Sequence, residues 1–176
     1  MSDAECIVPG TGVTTLASLP RRVGALSYEA VLLVALALVA GFVLIPLVTP
    51  VRTPSLTIPP VFVRAMTFCV LAAGAAMYFT WLWSDGRRTL PQKTWRLALV
   101  DRRGAPLTRR TALLRYAAGW VGPGTAIAAY AALRPAGLGR YAAPLLLVNY
   151  AWALVDRDGQ FLHDRLAGTR VVATTG

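Results

Sequence analysis

Four stretches of this chain are apolar over lengths that matter. Residues 24–48 form the first, and 30–47 contain no polar side chain. The second, residues 61–83, is interrupted near its start by Arg64. The third, residues 111–133, carries Arg115 one turn in. The fourth, residues 141–155, is the shortest, and it extends back to 138 if Arg140 snorkels to the surface. A helix crosses the hydrocarbon with roughly 20 mostly apolar residues. The pattern therefore predicts an all-α integral membrane protein. Its core is a four-helix transmembrane bundle with spans at about 24–48, 61–83, 111–133 and 138–155. The fourth run alone has a second reading, a re-entrant segment.

Between the runs the periodicity changes. Residues 95–100 place large apolar side chains at alternate positions, a strand period. Asp101-Arg102-Arg103-Gly104 then supplies turn chemistry. Thr169-Arg170-Val171-Val172-Ala173 is a second β-prone stretch after Gly168. Together they predict a small sheet at the membrane face, with residues 160–167 as a short helix between. Residues 49–60 contain Pro50, Pro54, Pro59 and Pro60 and read as an extended linker. Residues 134–140 form a tight link between runs three and four. Residues 1–19 read as a flexible cytoplasmic tail and 20–173 as one membrane domain. With Asp3 and Glu5 before any apolar run, the N-terminus does not read as a signal peptide.

Charge adds direction. The chain is 56% hydrophobic and 15% charged, with 18 basic against 8 acidic side chains. Fourteen of the eighteen Lys and Arg residues fall on the side of the tail, the middle loop and the C-terminus; Arg52, Arg64, Arg134 and Arg140 fall on the other. The bias places both termini in the cytoplasm. Tyr78, Trp81 and Trp83 sit where run two meets that interface, as an aromatic belt would. Residues 84–110 hold eight basic and two acidic side chains. Pinned to a bilayer, Arg102, Arg103, Arg109 and Arg110 point to anionic lipid as partner rather than nucleic acid.

The candidate chemistry is sparse. Cys6 and Cys69 have no spacing for zinc or a disulfide framework. Asp156, Asp158, His163 and Asp164 match no standard metal site. No nucleophile stands beside the single histidine, His163. The expectation is a non-enzyme without metal or cofactor.

Several separated blocks resemble the RDD family of bacterial membrane proteins, named for an arginine and two aspartates. They are Arg22, Ala25 and Glu29; residues 89–101, which include Arg96; Leu113-Leu114-Arg115; and residues 162–172, with Asp164 as the closing aspartate. Glu29 stands where the family has its first aspartate, which keeps the charge and adds a methylene. The resemblance implies a multi-span protein of the bacterial inner membrane, from a family whose members mostly have no assigned activity and for which transport of an ion or small solute is the usual expectation. A non-transporting scaffold or lipid-binding partner subunit is the alternative. A homo-oligomer or a partner membrane protein is expected in either case.

Six residues carry the functional expectation: Arg22, Glu29, Arg96, Arg115, Asn149 and Asp164. Glu29 is read two ways, as a carboxylate paired with Arg22, Arg115 or a loop arginine, or as an ion or substrate site. Arg115 reads as a snorkelling anchor or that partner. Asn149 reads as an amide bonding across helices, or as a substrate contact. Residues 119–124, with three glycines and Pro123, predict a kink or a broken-helix site in run three.

Overall fold

The computed structural model describes residues 6–8, 11–48 and 61–174. The proline-rich linker at 49–60, with Arg52, lies outside the described residues. Within the stretch read as a tail, strand β1 (Cys6–Val8) pairs antiparallel with β2 (Thr11–Thr14). The chain then enters α1 (Leu19–Val48). The second run is α2 (Val61–Trp83), with the boundaries the apolar pattern predicts.

Both helices are long and apolar enough to cross a membrane. Their apolar side chains stay uncovered. Val31, Val34, Leu38 and Phe42 on α1 are more than half exposed, as are Phe62, Met66 and Met77 on α2. A face of this extent in water would be an aggregation site; in lipid it is the ordinary surface.

At one end of these helices lies the small sheet. A short helix, α3 (Leu90–Thr94), is capped by Thr89 and Gln92, whose side chains each bond the other's backbone N–H. Trp95 and Arg96 form the turn after it, and Arg96 takes a left-handed φ of 52°. That turn explains why strand β3 begins at Leu97, two residues later than the alternation predicts. It runs to Asp101. Strand β4 (Thr169–Ala173) pairs antiparallel with it, from Leu97 opposite Ala173 to Asp101 opposite Thr169. Leu97, Leu99 and Val171 turn inward onto Ala25, Phe79, Trp83 and Leu107. Each large side chain buried this way contributes about 1.5–3 kcal/mol. Between the strands, α7 (Leu162–Ala167) fills the place predicted for a short helix and ends on Gly168 at a left-handed φ of 67°.

The third and fourth runs correct the simple bundle. Run three is two helices, α4 (Arg109–Gly119) and α5 (Val121–Leu133), meeting at Trp120. Run four is not an α-helix. Residues 139–147 are 3₁₀, followed by one α turn, α6 (Val148–Ala151), and a further 3₁₀ turn at 152–154. Pro144 inside the run removes a backbone donor. The segment also lies tight against α5: a Cβ on Gly122 would stand 2.8 Å from the Leu146 carbonyl oxygen. The structure thus shows two candidate membrane helices and a broken third and fourth run, not four continuous helices. Of the three aromatics read as a belt, one turns inward. Trp81 is exposed with Arg87 over its ring at 4.2 Å, whereas Trp83 is buried.

Candidate functional site

The break in run three has a local cause. In a continuous helix the Gly119 carbonyl would accept from the N–H of residue 123. Residue 123 is proline and has none. The donor comes instead from Asn149, fully buried on α6, whose Nδ2 reaches the Gly119 oxygen at 3.1 Å and that of Ala118 at 3.2 Å. Of the two readings of Asn149, the interhelical amide is the one formed.

The other end of the same amide starts a buried chain of polar contacts. Asn149 Oδ1 accepts from the backbone N–H of His163 at 2.9 Å and lies 2.9 Å from its Nδ1. His163 Nε2 lies 3.1 Å from an Arg115 NH2. Arginine can only donate, so Nε2 must accept and Nδ1 carries the proton. His163 is therefore neutral. Burial pushes its pKa down to about 4; Asp164 opposes this and Arg115 adds to it. Arg115 Nε then meets Asp164 Oδ1 at 2.8 Å in an ion pair almost closed to solvent. The guanidinium also lies 4.1 Å over the ring of Trp83. Burial alone would raise the Asp164 carboxyl, but Arg115 and the Thr169 hydroxyl at 3.2 Å hold it below its ordinary range.

One network thus joins the helix break to the first residue of β4. The reading of Arg115 as a snorkelling anchor is corrected, since its side chain is buried and ends on Asp164.

Arg22 anchors a second part. Its Nε donates to the Ala17 carbonyl at 2.6 Å, and its terminal nitrogens donate to those of Gly159 at 2.5 Å and Asp158 at 3.4 Å. It clamps the loop before α7 to the start of α1. Asp156 and Asp158 in that loop hold Arg165, at 2.8 and 2.6 Å.

Glu29 stands apart. The predicted pairing with an arginine is not formed: among the described residues no cation lies within ion-pair distance of it. Its Oε1 is buried without a hydrogen-bond partner. It lines a cavity of about 280 Å³ together with Arg22, Gln92, Arg115 and His163. The remaining wall is largely apolar and includes Leu33, Phe79, Tyr116, Trp120, Pro123 and Tyr150. The cavity lies between α1, the helix break and the sheet.

Arg96 stands outside this site. Its side chain is exposed, and its backbone carbonyl accepts from Thr174 at 2.9 Å. Arg102, Arg103, Arg109 and Arg110 are exposed on the sheet end. Arg109 lies 4.0 Å from Asp85. Sequence reasoning weighed His163 only as a metal ligand or catalyst, not as the link that joins Arg115 to Asn149, and it missed Gln160, buried at 1% exposure with both amide atoms unpartnered. No motif marks Gln160.

The model of the RDD family matches residues 16–168, most of the chain. No curated protein and no solved structure matches it.

Proposed function

The chain belongs to the RDD family, and on that premise we propose that it carries an ion or small solute across the bacterial inner membrane. The cavity beside Glu29 would form the cytoplasmic part of the path. The observation that carries this reading is Glu29 Oε1, a buried carboxylate oxygen without a partner, facing a cavity at the break of a membrane run. A polar group stripped of water and left unpaired costs stability, and such groups persist where function needs them. We further propose that all four runs span. In 3₁₀ geometry a chain rises about 2 Å per residue, so residues 139–154 cover about 30 Å, the thickness of the hydrocarbon. The shortness of the fourth run is then no bar to crossing. The cavity is small for a full path, which favours an oligomer.

On this reading the chain is not an enzyme. Both ring nitrogens of His163 face hydrogen-bonding partners, and among the described residues no nucleophile bonds to it. The exposed Arg102, Arg103 and Arg110 support a second reading, a scaffold that holds anionic lipid or a partner membrane protein.

Two measurements test these proposals. Liposomes holding the purified protein should show solute flux that Glu29→Gln abolishes while the thermal midpoint is kept. Absence of flux for every ion and solute tried, with a stoichiometric partner chain co-purifying, would turn the assignment to the scaffold. Reporter fusions after Thr53, Arg103, Gly137 and the C-terminus should read outside, inside, outside, inside. An external C-terminus would remove the fourth span and the orientation together.

A further inference from the structure

The charges around the cavity do not balance. Two arginines, Arg22 and Arg115, line its polar end, and a third, Arg165, is not on the wall but holds the aspartates of the neighbouring loop. Three aspartates answer them. Asp164 pairs with Arg115, while Asp156 and Asp158 pair with Arg165 and lie within electrostatic reach of Arg22. That network is neutral as a whole, with His163 uncharged at its centre. Glu29 is left over. None of the three aspartates lines the cavity, whereas Glu29 does; it has no ion-pair partner among the described residues, and one of its oxygens is buried and unbonded.

The rest of the wall is aromatic to an unusual degree. Phe79, Trp83, Tyr116, Trp120, Tyr150 and Phe161 all line it. Phe79 and Trp83 lie 4.3 Å apart, Phe79 and Tyr116 5.9 Å, and Tyr116 and Trp120 6.2 Å, so several rings are contiguous. Ring faces attract cations, and they do so more strongly away from water. An arginine already uses this surface: Arg115 lies over Trp83. An inorganic ion would gain from the carboxylate but would leave the apolar wall unfilled. An anion would meet Glu29, while the two arginines on the wall are already engaged, Arg115 by Asp164 and Arg22 by three backbone carbonyls. A neutral apolar molecule would leave Glu29 Oε1 as unpaired as before.

We propose that the cavity binds a small organic cation, an alkyl- or arylammonium, with its charge on Glu29 and its apolar body among the aromatic rings. The proposal rests on the transport reading for its purpose, but binding can be measured without flux. At about 280 Å³ the cavity lies just below the usual range of drug-sized pockets, which points to a ligand of about ten heavy atoms.

Two probes of one shape and a third of opposite charge provide the test. Benzyltrimethylammonium carries the charge, neopentylbenzene is its neutral isostere, and phenylacetate carries the opposite charge. Binding to the intact protein in lipid nanodiscs can be followed by tryptophan fluorescence, since Trp83 and Trp120 line the cavity. The ammonium probe should bind saturably, at least about tenfold more tightly than either other probe. Glu29→Gln should erase that preference, and Glu29→Asp should retain it. Equal binding of cation and neutral isostere by the wild type overturns the proposal, because Glu29 would then be neutral in the cavity. Tighter binding of phenylacetate overturns it as well. These comparisons use the wild type alone, so a poorly folded variant does not blunt them. Glu29-dependent flux of an inorganic ion without ammonium binding would sink the ligand assignment and leave the transport reading standing. Saturable ammonium binding without any flux would do the reverse.

Discussion

Asp164→Leu is expected to destabilise the protein by about 3–5 kcal/mol, the largest effect of any single substitution at the site. The carboxylate is fully buried and accepts from Arg115 at 2.8 Å. Removing it leaves a guanidinium with 6% exposure and no counter-charge. Much of the cost is that stranded charge rather than the value of the pair itself. A second variant separates the two. Arg115→Met combined with Asp164→Leu removes both charges and should recover most of the loss, since Trp83 and the apolar wall can receive a methionine. Thermal midpoints in one lipid, compared for the single and the double variant, provide the measurement. If the double variant is as unstable as the single one, the pair is holding a specific geometry instead of cancelling a charge. If Asp164→Leu shifts the midpoint by less than the scatter between replicates, the buried ion pair is not formed in the membrane.

The family motif named Asp164, but its partner was less legible. Arg115 lies at the start of an apolar run, where arginines normally snorkel, and nothing local says that the chain folds α7 back onto it. That contact joins residues 49 positions apart. By contrast, α2, β4 and the residue class of each turn could be read from period and composition, because those signals are local. The failure at run four has a physical reason. Hydropathy counts apolar residues and does not sense whether they rise 1.5 or 2 Å each. Pro144 within the run was the available hint.

The role of Asn149 was nearer the surface of the sequence than it appeared. Pro123 deprives the Gly119 carbonyl of its donor by simple arithmetic, and the one polar side chain in the middle of run four was a candidate to replace it. Glu29 illustrates the opposite case. Arg22 lies two turns earlier on the same helix, and shared direction suggested a pair. The Arg22 side chain instead turns back to the Ala17 carbonyl and the loop before α7. Three carbonyls that need donors outbid one carboxylate further along the helix.

The histidine at the centre of the network should make stability depend on pH in a window of its own. An unfolded histidine takes up a proton near pH 6.5, whereas burial lowers the pKa of folded His163 to about 4. Between those values the unfolded chain binds a proton that the folded protein does not. Stability therefore falls as pH falls from about 6.5, and the loss from this group is complete near pH 4. At 1.36 kcal/mol per pKa unit, lowering the pH from 7 to 4.5 should cost about 2.5 kcal/mol. The aspartates act elsewhere. Asp164 and Asp156 are held below their ordinary value of 3.8, so the stability they contribute is lost only at still lower pH. Protonated His163 would have no lone pair for Arg115 and would set a second cation beside it. His163→Gln keeps a polar side chain but cannot titrate. Its thermal midpoint should start lower at pH 7 and change less on acidification, so the two curves converge toward pH 4.5. Parallel curves for wild type and variant would mean that His163 is not buried as a neutral ring. The network would then not extend from the helix break to Arg115.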